Sequence, residues 1–201
     1  QEELFVSGTA SSYLSEEPLT EDGEWTVARD AEADFTTRVV VRRPVDAADF
    51  NGNVMVEWLN VSGGLDADPD WVFAHTELIR EGWAWIGVSA QARGIEGGGG
   101  PGAILALQPA DPERYGELVH PGDDFSYDMY SQVGAAVRTQ PEALLGELEP
   151  ERVLAIGESQ SAFRLTSYAN AIAPLANVYD GYLIHARSDS AADINAATSP
   201  P

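Results

Sequence analysis

The stretch that decides the fold is RVLAIGESQSAFRL, residues 152–165. Its first half is a short apolar run typical of a buried strand, and its second half predicts a helix from about residue 160 to 173. Ser159 stands at the junction, and small residues lie two positions before and after it, Gly157 and Ser161. A serine at such a junction can be a nucleophile on a sharp strand-to-helix turn, or it can cap the helix with its hydroxyl.

The spacing around Ser159 meets the steric condition of the sharp turn. The usual pattern is G-x-S-x-G, in which the outer residues are small because the strand and the helix approach each other closely. Here the sequence is GESQS, so that Ser161 replaces the last glycine. Serine is still small, and we expect its size to be the property that matters.

The regions on both sides alternate between strand and helix patterns. Strands are predicted at about residues 4–14, 35–43, 53–60, 83–90, 152–157 and 178–185, and helices at about 69–81, 125–139 and 160–173. Alternating strands and helices predict an α/β fold with a mainly parallel sheet that is covered by helices on both faces. The segment 91–124 is rich in Gly and Pro, so we expect a long loop there, either a rim of a pocket or a solvated connection; we favour the rim.

Backbone N–H groups able to stabilise an oxyanion are expected near Ser159. Gln160 begins the following helix, where N–H groups have no intrahelical partner and the helix dipole is positive. A second donor is expected from the loop LNVSGG, which follows the third strand, with Val61 or Ser62 as the candidates. The pocket is expected to include Asn60, Glu158 and His185.

Several longer segments resemble a bacterial family, the alpha/beta hydrolase domain family. The segments that carry the resemblance are VEWLNVSGG, DADPDW, HTELIREGWAWIGVSAQARGIEGG, DPERYGELVHPGDDFSYDMYSQ, VLAIGESQSAFRL and VYDGYLIHARS, between residues 56 and 188. The resemblance implies the α/β-hydrolase fold and a serine hydrolase that acts on a small-molecule ester. It also implies that Ser159 is the nucleophile and that no metal or organic cofactor is used.

The catalytic histidine and acid are not evident within this sequence. His75 falls on a helix face, His120 lies in a loop, and His185 ends a strand and is the best placed of the three. We favour a hydrogen-bonded structural role for His185, because hydrolases of this fold carry the base later, in the order Ser, acid, His. We therefore expect residues 1–201 to be a single domain that is incomplete at its C-terminus, with acid and base after residue 201.

Composition excludes several other classes of protein. The net charge is -22, and all 11 cationic residues are Arg, so the surface is a poor partner for nucleic acids. The absence of Lys fits either a high-salt cytosol or a GC-rich genome. There is no Cys, and no apolar run approaches the length of a membrane span. The compartment, cytoplasmic or secreted, and the oligomeric state stay open.

Two further motifs have simpler interpretations than a metal or phosphate site. Asp66, Asp68, Asp70 and Glu77 match much of a calcium loop, but Trp71 stands where the loop needs Gly. We therefore interpret this segment as a helix start and expect no metal. The run GGGGPG, residues 97–102, lacks the Lys and the clear helix start of a phosphate-binding loop.

Overall fold

The structure is a computed structural model that describes residues 1–98 and 101–200. The glycine run 97–102 includes residues 99 and 100, so the prediction that it is not a phosphate-binding loop lies partly outside the described residues. Among the described residues, no helix combines the length and the apolar character that crossing a membrane requires.

Within the described residues, six strands form one sheet. Their bounds are β1 Glu2–Leu14, β2 Ala28–Arg42, β3 Asn53–Trp58, β4 Ala84–Val88, β5 Arg152–Glu158 and β6 Gly181–His185. The order across the sheet is β1-β2-β4-β3-β5-β6. β1, β2 and β4 pair antiparallel, whereas β4, β3, β5 and β6 are parallel. The predicted mainly parallel sheet is therefore confirmed.

The three predicted helices are present, and the structure adds a helix at Pro141–Leu145 and the short helices described below. Their bounds are α1 Pro69–Arg80, α2 Ala92–Glu96, α3 Leu107–Ala110, α4 Pro112–Tyr115, α5 Ser126–Thr139, α6 Pro141–Leu145, α7 Gln160–Ser167 and α8 Ala173–Ala176. The segment expected as a loop contains α2, α3 and α4, because its apolar side chains Ile95, Leu107 and Leu118 pack into a small cluster of their own. The helix predicted over 160–173 is divided by a π-helical turn, Tyr168–Ile172.

The sheet carries apolar clusters on both faces. One face of β3 contributes Val54, Val56 and Trp58 to the main core, which includes side chains of α5 and α7. The other face contributes Met55, which packs in a second cluster with Leu78 of α1. Alternation along one strand thus buries both faces, as expected for a parallel sheet between helices.

The parallel pairing brings three strand ends to one edge of the sheet. β5 lies between β3 and β6, and Glu158 at the end of β5 is directly opposite His185 at the end of β6. In open α/β sheets, ligands bind at the carboxyl ends of the strands. The chain therefore presents Ser159, the residue after Glu158, at the edge where a site is expected.

Candidate active site

Ser159 has a strained backbone. Its φ is 55° and its ψ is -114°, a left-handed conformation that a residue with a Cβ atom rarely adopts. Such a conformation costs roughly 1–3 kcal/mol and is found mostly at functional sites. Ser159 holds the N-cap position of α7, yet its hydroxyl makes no capping hydrogen bond. The interpretation of Ser159 as a side-chain cap is therefore wrong.

The residues on each side of Ser159 explain how the tight turn is held. A Cβ atom on Gly157 would lie 3.0 Å from the backbone oxygen of Ser161, so glycine is needed for the close approach of strand and helix. The Ser161 hydroxyl is buried; it donates to the Glu158 oxygen at 2.9 Å and accepts the Glu158 N–H at 3.1 Å. Ser161 therefore ties the helix to the strand, a role that its small size alone did not indicate.

The candidate oxyanion donors lie together beside the turn. Asn60 donates from Nδ2 to the Glu158 oxygen at 2.9 Å, which joins the loop after β3 to the end of β5. The Val61 N–H donates to Gln160 Oε1 at 3.2 Å, and the Ser62 N–H donates to Asn60 Oδ1 at 2.9 Å. Both loop N–H groups thus already bind side-chain oxygens. Gln160 is the first residue of α7, so its own N–H has no acceptor within the helix.

Part of the long connection between β4 and α5 lies against this loop. Gly102 donates its N–H to the Gly63 oxygen at 3.1 Å. The two residues after Ala103, Ile104 and Leu105, are exposed although they are large and apolar. This part of the segment therefore lies next to the loop that carries the candidate oxyanion donors.

A polar network centred on Gln91 holds the Gln160 side chain in place. Gln91 is only 3% exposed, and its Oε1 accepts hydrogen bonds from Trp58 Nε1 at 3.1 Å and from Gln160 Nε2 at 2.9 Å. Its Nε2 donates to Asp123 Oδ2 at 3.1 Å, and Arg164 binds the same oxygen at 3.0 Å. Sequence reasoning missed Gln91, Asp123 and Arg164. The available signal was Arg164, because only 11 residues of this chain are cationic and an Arg close to Ser159 in sequence is expected to have an acidic partner.

The histidines have partners other than Ser159. His185 Nε2 lies 2.6 Å from Asp70 Oδ1, and Asp70 is buried at the start of α1. His120 Nε2 lies 3.0 Å from the Ala90 oxygen, and His75 Nδ1 lies near backbone oxygens of its own helix. The backbone oxygen of His185 accepts the Ser159 N–H at 3.1 Å, so His185 lies beside the serine turn.

Glu57 is a fully buried carboxyl group near the end of β3. It accepts the N–H groups of Asp70 and Trp71, at 3.1 and 3.0 Å, and the indole N–H of Trp85 at 2.9 Å. Burial raises the pKa of Glu57 to about 8, and repulsion from Asp70 adds to the shift, against the opposing effect of the three donors. Glu57 therefore favours its neutral form in the folded protein at pH 7.

The shifted pKa of Glu57 predicts a pH-dependent stability. The folded pKa, about 8, lies above the ordinary value of 4.5, so the folded state holds a proton that the unfolded state releases. Stability should fall as the pH rises through this interval, by up to roughly 5 kcal/mol. Urea unfolding at pH 5 to 9 should show this fall in the free energy of unfolding for the wild type. The Glu57→Gln variant should not show it, because the glutamine side chain does not titrate. Equal pH profiles for the two proteins would contradict the assignment.

The acidic residues that suggested a calcium loop bind separate partners. The pairs are Asp66 with Arg38 at 2.9 Å, Asp68 with Arg42 at 2.6 Å, Asp70 with His185 at 2.6 Å, and Glu77 with Arg80. The helix predicted at this point begins at Pro69. Within residues 1–98 and 101–200, no three His, Asp or Glu side chains are grouped so that they could hold a metal ion.

The fold and the serine turn define a class of protein. A parallel sheet with helices on both faces, and a strained serine between a strand and a helix, are the features of the α/β-hydrolase fold. The sequence matches the family model described as alpha/beta hydrolase domain over residues 1–201. The chain belongs to this family.

Solved structures similar to this chain include several esterases and hydrolases, all at low identity. A protein from Lactobacillus plantarum assigned as a carboxylesterase has 10% identity and a TM-score of 0.44, with 94% of this chain and 62% of that chain covered. A protein from Klebsiella pneumoniae assigned as a dienelactone hydrolase has 14% identity and a TM-score of 0.44, with coverage of 98% and 65%.

A more distant similarity is to a glucuronoyl esterase from Caldicellulosiruptor kristjansonii. It has 14% identity and a TM-score of 0.33, with 70% of this chain and 37% of that chain covered. The chain thus spans less than two thirds of the length of each of these three proteins. A search of curated proteins gave no match to the sequence.

Proposed function

We propose that this protein is a serine hydrolase that cleaves a carboxylic ester through an acyl-enzyme on Ser159. The observation that carries the proposal is the strained backbone of Ser159 together with its uncapped hydroxyl. A strained conformation persists only where the surrounding structure imposes it, and here it is not offset by a capping hydrogen bond. The family to which the chain belongs supports the same reaction class.

The proposed mechanism uses Ser159 in two steps. Its Oγ attacks the ester carbonyl carbon while a histidine takes the hydroxyl proton, and the oxyanion is stabilised by N–H groups of Gln160 and of Val61 or Ser62. Collapse of the tetrahedral intermediate breaks the ester C–O bond, and the alcohol leaves with that proton. A water molecule, deprotonated by the same histidine, then releases the acid and restores Ser159.

We propose that the general base and its acid partner belong to a part of the domain outside residues 1–201. Two of the histidines support this, since His120 binds the Ala90 backbone and His75 binds its own helix. His185 binds Asp70, a pairing that a general base also forms, so His185 is the residue to test. Substitution of His185 by Ala in the full-length protein tests this proposal. Turnover should persist, and complete loss of turnover in a folded variant would make His185 the base.

A second candidate function is a non-catalytic module that binds a small ligand or partner in the same cleft. The observation that favours it is that the N–H groups of Val61 and Ser62 are already bound by side-chain oxygens. A fluorophosphonate probe separates the two functions in the full-length protein. Covalent labelling that is lost in a folded Ser159→Ala variant supports the hydrolase, whereas no labelling of the folded wild type supports the binding module.

The contribution of Ser62 to the oxyanion site can be tested by removing its N–H. We expect Ser62→Pro to lower turnover roughly 10²-fold, with a smaller effect on KM, because the donor acts mainly in the transition state. Ser62→Ala is the matched control, since it keeps the N–H and loses only the hydroxyl. Steady-state ester hydrolysis measures both. Unchanged turnover in a folded Pro variant would assign the loop donor to Val61.

A further inference from the structure

The hydrogen-bond network fixes which way the Gln160 amide points. The Trp58 indole N–H can only donate, so the oxygen of the Gln91 amide must face it. The Asp123 carboxylate can only accept when ionised, so it faces the Gln91 nitrogen. Gln160 must therefore turn its own nitrogen toward Gln91 Oε1, which leaves Gln160 Oε1 for the Val61 N–H.

The Gln160 oxygen consequently stands at one of the two loop N–H groups considered as oxyanion donors. An amide oxygen and an ester carbonyl oxygen accept hydrogen bonds in similar ways, so the side chain takes the place that a substrate oxygen would need. We propose that Gln160 masks the oxyanion site at rest: its amide oxygen occupies the Val61 N–H until a substrate carbonyl replaces it. This inference rests on the proposed function.

The network makes the displacement reversible at low cost. Gln91 and Trp58 are buried, and when Gln160 leaves, Gln91 Oε1 keeps its bond from Trp58, so no buried acceptor is left unpaired. Gln160 itself is only half-buried and can turn outward. Turning outward breaks two neutral hydrogen bonds, from the Val61 N–H at 3.2 Å and to Gln91 Oε1 at 2.9 Å. A substrate carbonyl replaces the first, and water can accept from the freed Gln160 nitrogen in place of the second.

The exchange predicts the same cost for every ester that uses the Val61 N–H. Displacing Gln160 breaks the same contacts whatever the substrate, so binding energy from remote groups of a larger ester does not change this cost. A neutral hydrogen bond corresponds to roughly a threefold to tenfold change in an equilibrium constant. Gln160 therefore lowers kcat/KM by about that factor for small and large esters alike.

Amide hydrogen exchange tests the resting contact without any assay of activity. In the ligand-free full-length protein, Gln160→Ala and Gln160→Met should both speed exchange at the Val61 N–H, roughly tenfold, because neither side chain accepts its hydrogen bond. The Ser62 N–H, bound to Asn60 Oδ1, is the internal control and should not change. Unchanged exchange at Val61 in both variants would overturn the proposal.

Kinetics with esters of increasing acyl length test the masking role. Gln160→Ala should raise kcat/KM by roughly threefold to tenfold, and by a similar factor for acetyl and longer esters. A fall in kcat/KM for all esters would overturn the proposal and make Gln160 a support of the loop. If the folded wild type neither hydrolyses esters nor reacts with a fluorophosphonate, the proposed function fails and the masking role with it. The exchange result then still decides whether Gln160 binds the Val61 N–H.

Discussion

Replacement of Ser159 by alanine is expected to lower kcat for ester hydrolysis by roughly 10⁴-fold or more, because the variant has no nucleophile to form the acyl-enzyme. The backbone of residue 159 should remain in its strained conformation, since alanine also carries a Cβ atom. Hydrolysis of a p-nitrophenyl ester by the full-length protein measures the loss. A folded alanine variant with wild-type turnover would contradict the assignment of Ser159.

Glycine at residue 159 separates the effect of backbone strain on stability from the loss of the nucleophile. Ser159→Gly should be as inactive as the alanine variant, yet more stable than it by roughly 1 kcal/mol, since glycine adopts a φ of 55° without a steric penalty. Urea unfolding of the two variants provides the comparison. Equal stability would mean that the turn at residue 159 is not strained.

Replacement of Ser161 by leucine is expected to disrupt the turn and abolish activity. Ser161 is fully buried, and its hydroxyl lies between the N–H and the oxygen of Glu158. Leucine adds volume where the helix meets Gly157 and removes both hydrogen bonds, so the loss of stability should be roughly 3 kcal/mol or more. Thermal unfolding and ester hydrolysis measure the two effects.

Small replacements at residue 161 are the matched controls. Ser161→Ala and Ser161→Gly should keep turnover within a few fold of the wild type, while losing roughly 1–3 kcal/mol of stability with the hydroxyl. This pattern would show that size governs the shape of the turn and that the hydroxyl only strengthens it. A stable, active leucine variant would refute the tight turn.

The sequence predicted the elements that depend on local pattern. The apolar runs of β3, β4 and β5 and the small residues around Ser159 are short-range signals, and they located the strands and the turn within a few residues. The order of the strands across the sheet is harder to predict from sequence, because β4 lies between β2 and β3 in the sheet although it follows β3 in the chain. Only contacts distant in sequence decide that arrangement.

The supporting network of the site could not be predicted for the same reason. Gln91 lies 69 residues from Gln160 and 32 residues from Asp123, and no periodicity connects them. The short helices between β4 and α5 were also missed. Helices of four or five residues have no stability of their own and exist because their apolar side chains pack against the fold.

The most direct test of the account is to trap the acyl-enzyme. The full-length protein is mixed with a p-nitrophenyl ester, quenched in acid during turnover, and digested for mass spectrometry. The account predicts the acyl group on the peptide that contains Ser159, with none on the Ser159→Ala variant. Hydrolysis by the wild type with the acyl group on another residue, or without any acyl adduct at Ser159 under conditions that trap the intermediate, would contradict it.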